Sequence, residues 1–321
     1  MPKSFHARML SSAARRSVLA IAIAGITFGQ AHAADPIKSI LFVNPLPQYP
    51  SWRLIGDCIA REAKAQNISE TESGPTGGTL NTTAMIQQIQ QGIANNVGAI
   101  ITYPATDGFV PVLQQALDAG ILVGTLYGAS GTGSAAQVNV GANFTTVGEI
   151  MVKAIATREG QQNVGLMIQG PTGAGKAFSE AFEAEAAKTQ NVKIIATVAT
   201  GDDANKALDQ ANALLIAHPE INVIASHMGT ATQGAAAAIK AKDLQGKVVM
   251  VANGAAGGGV EGLRDGTVYQ VMLQNICGAG AQIVDALAKI NKGEQTPANL
   301  DVGVQMFGKE HIQEFIDKGW Q

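Results

Sequence analysis

The 321-residue sequence predicts an α/β protein built as two doubly wound parallel-sheet lobes, and three observations carry that prediction. Short β-branched runs alternate with amphipathic segments at a spacing of ~25–30 residues, the signature of repeated βαβ units. Charged residues make up only 15% of the chain while Gly reaches 37, a composition suited to helices packed closely on strands buried on both faces. The apolar runs number about ten, more than one open sheet holds comfortably, so two lobes fit better than one.

The elements follow in order. In the first half, strands are expected over 39–44, 68–73, 99–103 and 122–126, bounded by Gly, Pro or Asn and, apart from the polar 68–73, near-continuous apolar runs. A helix over 51–66 opens after two prolines, and one over 83–95 places Met85, Ile86, Ile89 and Ile93 on a single stripe. Asp107 is positioned to N-cap a third helix that runs to Ala119 and stops at Gly120. After a Gly/Ser-rich stretch over 128–136, a second series of strands is expected over 164–169, 192–199, 223–226, 248–252 and 267–273. A late helix over 278–291 and a strand within 302–307 fit either lobe on pattern alone.

Residues 1–33 stand apart from this pattern. Lys3, Arg8, Arg15 and Arg16 form a basic segment, 18–28 is an apolar run too short to span a bilayer, and Ala31-His32-Ala33 provides an A-x-A cleavage site. These are the marks of a secretory leader cut after Ala33; general secretion is the default, with the Arg pair also compatible with twin-arginine export. Loss of those four cations leaves an acidic mature chain. With Lys plus Arg at 22 against Asp plus Glu at 25, and no basic run after residue 16, nucleic acid is not an expected partner. Cys58 and Cys277 are the only two cysteines. An oxidising compartment permits a disulfide if their helices meet, but two buried thiols acting as small hydrophobes is the favoured reading.

Two glycine-rich loops invite a nucleotide-binding reading. Residues 170–176 match G-x-x-x-x-G-K after a strand and before a helix, yet Ala177 stands where a hydroxyl would hold Mg²⁺ and no strand-end Asp is suitably placed. A strand-to-helix loop whose backbone N–H groups face a cleft is the better expectation. Residues 254–259 lack dinucleotide-binding spacing and are expected to let backbone approach a ligand or the other lobe. No histidine or cysteine spacing suggests a metal site, no cofactor is expected, and neither a G-x-S-x-G elbow nor a strand-end carboxylate pair suggests catalysis. A non-enzymatic protein is expected.

Several segments, taken in order, resemble the periplasmic solute-binding proteins of the ribose and galactose type. Asn44-Pro45 resembles the family's N-P opening, and residues 87–104 resemble its Q-x-x-x-x-x-I-x-x-x-V-D-x-I-I-x-x-P segment. Residues 119–123 resemble A-G-I-P-V, 140–143 resemble V-G-x-D-N, 213–225 are similar to L-L-x-x-H-P-D-I-D-x-I, and 263–266 followed by Gln274 resemble I-x-x-G and a closing Gln. The resemblance covers nearly the whole mature chain. It implies a type I periplasmic-binding-protein fold, with 35–138 plus 275–301 in one lobe, 139–274 plus 302–321 in the other, and three crossovers near 137–141, 273–276 and 300–305. It implies a monomer in the periplasm that captures a small neutral solute between the lobes and delivers it to an ABC permease of the inner membrane. A sensor presenting its solute to a chemoreceptor or kinase is the alternative.

At the cleft positions the sequence departs from the sugar-binding pattern. Tyr127 stands where the family has a strand-end Asp, Phe178 where it has an Arg, Met228-Gly229 where it has Asn-Asp, and Asn253 where it has another Asp. Tyr103 replaces an Asn before Pro104, Leu46 and Pro47 stand where aromatics often clamp a sugar ring, and only Asn44 and Gln274 keep their polar identity. The resemblance therefore implies a neutral, more aromatic pocket for a ligand with an apolar or planar body and few polar atoms, or a sugar-like one. Tyr49, Trp52, Tyr103, Tyr127 and Phe178 are its expected walls, Met228 adds an apolar contact, and Asn44, Asn253 and Gln274 are its expected hydrogen-bonding groups. His227 and Gln233 are polar reserves nearby.

Overall fold

The structure, a computed structural model, describes residues 36–128, 135–310, 312–317 and 320. The leader reading falls on residues 1–33 and lies outside them, as does most of the Gly/Ser-rich stretch.

The expected alternation is present. The first series is β1 (Ser39–Val43), α1 (Pro50–Ala65), β2 (Ser69–Ser73), α2 (Thr82–Ala94), β3 (Ala99–Thr102), α3 (Phe109–Asp118), β4 (Leu122–Leu126) and β5 (Val138–Gly141). The second is α4 (Phe144–Ala156), β6 (Gln162–Ile168), α5 (Gly173–Ala186), β7 (Val192–Ala199), α6 (Ala204–Ala217), β8 (Val223–Ser226), α7 (Gly229–Ala241), β9 (Val249–Asn253), a π turn over Ala255–Gly259, α8 (Val260–Asp265) and β10 (Val268–Gln274). The chain ends with α9 (Ile276–Asn291), β11 (Asn299–Asp301), β12 (Val304–Phe307) and α10 (Ile312–Ile316).

Two six-stranded sheets result. The first has the order β11-β5-β4-β3-β1-β2 and is parallel throughout; the second has the order β12-β10-β9-β8-β6-β7, with only β12 antiparallel. In each, the chain reverses its winding direction beside the first strand laid down, between β1 and β3 and between β6 and β8. Such switch points open crevices at the carboxyl ends of strands, where ligands of open α/β sheets bind. The chain passes between sheets three times, from Gly141 to Phe144, from Gln274 to Ile276 and from Asp301 to Val304. The first sheet runs through β5 to Gly141, so this strand straddles the border expected at residue 138.

Burial follows the apolar pattern. On α2, Met85 and Ile89 are buried with Gly92, while Ile86 and Ile93 flank them half-buried. Asn81, Asn143, Asp203 and Asn275 cap α2, α4, α6 and α9 through side-chain oxygens that accept from first-turn backbone N–H groups. Asp107 does not act in this way. A tight turn puts Gly108 at the N-cap of α3 in helical conformation, and Asp107 contributes only its carbonyl, which accepts from the Val110 N–H at 3.1 Å.

The buried-thiol reading of the cysteines is overturned. The helix α9, returning to the first lobe from the second passage, lies along α1, and Cys58 and Cys277 form a disulfide with their Cα atoms 5.4 Å apart. Gly280 permits the approach, because a Cβ there would meet the Ile55 carbonyl oxygen at 2.9 Å and the Cys58 Cβ at 3.2 Å. Helical periodicity encodes neither which helices become neighbours nor how close they come. The bond joins residues 219 positions apart, and both lie in one lobe, so it fastens the returning segment without restraining lobe movement. Reduction, or the Cys58→Ser substitution, is expected to lower unfolding free energy by about 2–5 kcal/mol. Denaturant titration with and without reductant measures this, and coincident midpoints would contradict it.

Candidate functional site

The carboxyl ends of the two sheets face each other across a cavity of about 90 Å³. Loops leaving β1, β3 and β4 bring Tyr49, Trp52, Tyr103 and Tyr127 to one wall; ends of β7, β8 and β9 bring Asp202, His227, Met228, Thr230 and Asn253 to the other. Gln274, at the end of β10 and the start of the second passage, lies between them with Phe144. Tyr127 adopts φ 53°, a left-handed conformation uncommon for a bulky residue, as the chain turns off β4.

The lobes are closed on one another. The Tyr103 hydroxyl donates across the cleft to Gln169 Oε1 at 2.8 Å. The Tyr49 hydroxyl is seated over Gly229 and Gly257, and a Cβ built on Gly229 would overlap it. Gly173, at φ 54°, brings the start of α5 against the Ala105 carbonyl, which a Cβ would meet at 3.3 Å. The 170–176 loop is thus a lobe-to-lobe contact and contributes nothing to the cavity lining, and Lys176 points along its own helix to Glu180. The 254–259 loop meets its expectation: Gly254 lines the cavity and Gly257 admits the tyrosine.

Of the residues expected in the pocket, Tyr49, Trp52, Tyr103, Tyr127, Met228, Asn253 and Gln274 line the cavity. Two others lie behind it. Asn44 is fully buried; its Nδ2 donates to the Trp52 carbonyl at 3.2 Å and to Glu72 Oε1 at 3.1 Å, and its Oδ1 accepts from the Leu46 N–H at 3.0 Å. Both side-chain polar atoms of Asn44 are engaged in holding the β1–α1 connection against β2. Phe178 is buried at the start of α5 and packs on the His227 ring, centroids 4.4 Å apart, with Phe182 on its other side. It backs the wall without forming it. Gln233 is exposed on α7.

Asp202 is the main residue that motif reading overlooked, and it corrects the expectation of a neutral lining. In the Gly201-Asp202-Asp203 run, Asp203 caps α6, and Asp202, at φ 58°, turns to the cavity and accepts a hydrogen bond from Thr230 Oγ1. Two adjacent aspartates where one cap is needed was the available signal. Burial raises the Asp202 pKa above the ordinary carboxylate range, the Thr230 bond opposes the rise and the Asp203 charge adds to it. Burial also raises the Tyr49, Tyr103 and Tyr127 phenols, with the Asp202 charge adding to the first two.

Several buried polar atoms of the lining residues have no partner within the protein: the Tyr49 and Tyr127 hydroxyls, both His227 ring nitrogens, Asn253 Oδ1 and Gln274 Oε1. Asn253 Nδ2 is committed to the His227 carbonyl at 2.6 Å, so it presents only its oxygen. His227 sits between Phe144 and Phe178, and burial lowers its pKa to about 3. The imidazole is therefore neutral at pH 7, able to donate from one nitrogen and accept at the other. Among the described residues no cluster of His, Cys, Asp and Glu could hold a metal ion.

The depressed His227 pKa makes a prediction. Between pH ~6.5 and about 3 the unfolded chain binds a proton at this position that the folded chain does not, so stability falls as pH drops through that window. The contribution is at most about 1.4 kcal/mol per pH unit. His227→Gln lacks it, and its unfolding free energy is expected to decline less steeply from pH 6.5 to 4 than that of the parent. Parallel slopes in denaturant titrations would contradict the assignment.

A family model described as a periplasmic binding protein domain matches residues 40–295. Solved structures share the fold at low identity. GanP, a glucose-galactose binding protein from Geobacillus stearothermophilus, aligns with a TM-score of 0.81 at 20% identity, over 87% of this chain and 99% of that one. An ABC transporter solute binding protein from Agrobacterium vitis, bound with α-D-tagatopyranose, aligns with a TM-score of 0.80 at 19% identity, over 88% and 98%. A chain of a XylFII–LytSN complex aligns with a TM-score of 0.78 at 22% identity, over 86% and 100%. No curated protein is a significant sequence match. The matched family segment takes in both sheets and the cleft between them, and the chain belongs to the periplasmic binding protein family.

Proposed function

We propose that the chain is the solute-capturing component of an ABC importer: exported by its leader, it closes around one small molecule in the interlobe cavity and presents it to an inner-membrane permease. The observation that carries this reading is a closed, two-lobed cleft whose lining holds polar atoms without protein partners. Such atoms cost roughly 1–3 kcal/mol each when left unpaired, so a bound molecule that pairs them stabilises the closed form. The names of the structural relatives support the same role, since they include a glucose-galactose binding protein and an ABC transporter solute binding protein holding a sugar. The role is capture without turnover, by a monomer.

The lining refines the solute class. It contains one carboxylate, five aromatic rings and no lysine or arginine, which disfavours acids and phosphates and leaves sugar-like or more apolar solutes rich in hydrogen-bond donors. A second use of the same closure, presentation of the solute to a sensor, draws on the chain from the XylFII–LytSN complex. Co-purification with a permease rather than a sensor domain separates the two.

A thermal-shift screen of the mature protein against sugars, polyols, nucleosides and small aromatic compounds is expected to raise the melting temperature with at least one, because ligand binds only the folded state. With that compound, Gln274→Ala is expected to weaken binding by roughly 1–3 kcal/mol in calorimetry without unfolding the protein. Unchanged affinity would remove Gln274 from the site. Gly229→Val places a side chain under the Tyr49 hydroxyl and is expected to keep the lobes apart; small-angle scattering should show no ligand-induced compaction. Compaction equal to that of the parent would contradict the role given to this contact.

A further inference from the structure

On the reading of the cleft as a capture site, we propose that the solute carries a protonated amine, seated against the Asp202 carboxylate and the aromatic rings beside it. Three independent features of the lining converge on this chemistry. The first is uncompensated charge. Asp202 makes no ion pair among the described residues, its one side-chain bond comes from the neutral Thr230 hydroxyl, and no lysine or arginine lines the cavity. It lies between the first turns of α6 and α7, whose N-terminal ends favour a negative charge. A carboxylate enclosed by closure of the lobes is held in its ionised form by a cation placed beside it, and the solute is the component that enters.

The second feature is the ring cluster. Trp52 contacts Tyr103 at 5.5 Å and Tyr127 edge-on at 5.8 Å, and Tyr49 and Phe144 line the same cavity. Aromatic faces carry the negative side of a quadrupole and attract ammonium groups, most strongly where water is excluded. The third is a pair of amide oxygens. Asn253 Oδ1 and Gln274 Oε1 are acceptors without partners, and a solute that pairs them does so with donors. An ammonium brings up to three together with the missing charge. A neutral polyol satisfies the amide oxygens and leaves the Asp202 charge unanswered.

Matched pairs test this: D-glucosamine against D-glucose, tyramine against 4-ethylphenol, and choline against 3,3-dimethyl-1-butanol, titrated calorimetrically into the mature protein at pH 7. In at least one pair the ammonium member is expected to bind about tenfold tighter or more. Asp202→Asn, which retains an acceptor for Thr230, is expected to abolish the difference. The comparison on the parent protein stands even if a variant fails to fold. Equal or tighter binding of the neutral member, a preference that survives Asp202→Asn, or no binding of any ammonium probe would overturn the proposal. Binding of D-glucose alone overturns it and leaves the capture reading intact; no shift from these six or from the wider screen overturns both.

Discussion

Strands of a parallel sheet all end at the same edge, and their return connections cross a face, most of them here as helices. The loops that carry variable side chains are therefore gathered along one line, at the carboxyl ends. Here two such edges are set opposite each other because the chain passes from one sheet to the other beside them, at Gly141–Phe144, Gln274–Ile276 and Asp301–Val304. Everything distinctive about the cleft depends on that arrangement. Tyr103, Tyr127, Asp202, His227, Asn253 and Gln274 are far apart in sequence and share one position in the repeating unit, at or just beyond a strand end.

Closure changes the chemistry of these groups by excluding water. The His227 imidazole held neutral, the raised tyrosine phenols and the raised Asp202 carboxyl are all responses to lost solvation, each moving toward its uncharged form. Some polar atoms find partners across the interface, as Tyr103 does with Gln169. Others, such as Gln274 Oε1, do not. An apolar seam would close by itself and hold nothing; a fully satisfied polar seam would do the same. The mixture makes the closed state conditional on a molecule that completes it.

The fold was legible because most of its strands are buried and read as apolar runs, and the regular spacing located the more exposed edge strands β2 and β7 as well. Where both signals are missing, sequence reading failed. The edge strand Asn299–Asp301 is mostly exposed and polar, and β5 is four residues long beside a Gly/Ser stretch. The disulfide depends on a helix neighbour relation created by the second passage, which local pattern does not contain. In the site, strand-end position located Tyr127, Asn253 and Gln274, and could not tell a lining residue from one a layer behind. Asn44 occupies a ligand-like position yet spends its polar atoms on Trp52, Glu72 and Leu46. Asp202 escaped because a side chain directed by a left-handed backbone falls outside the alternation on which such readings rest.

The seat of Tyr49 over Gly229 and Gly257 joins the two lobes, and Tyr49 and Gly229 line the cavity as well. Its strength sets how often the empty protein visits the closed form, and apparent affinity scales with that fraction for every solute alike. Selectivity, a ratio, is untouched by such scaling. Gly257, which meets Tyr49 without lining the cavity, is thus a gain control: substitution there would retune the concentration range over which the protein responds, in a lineage facing scarcer or richer supply.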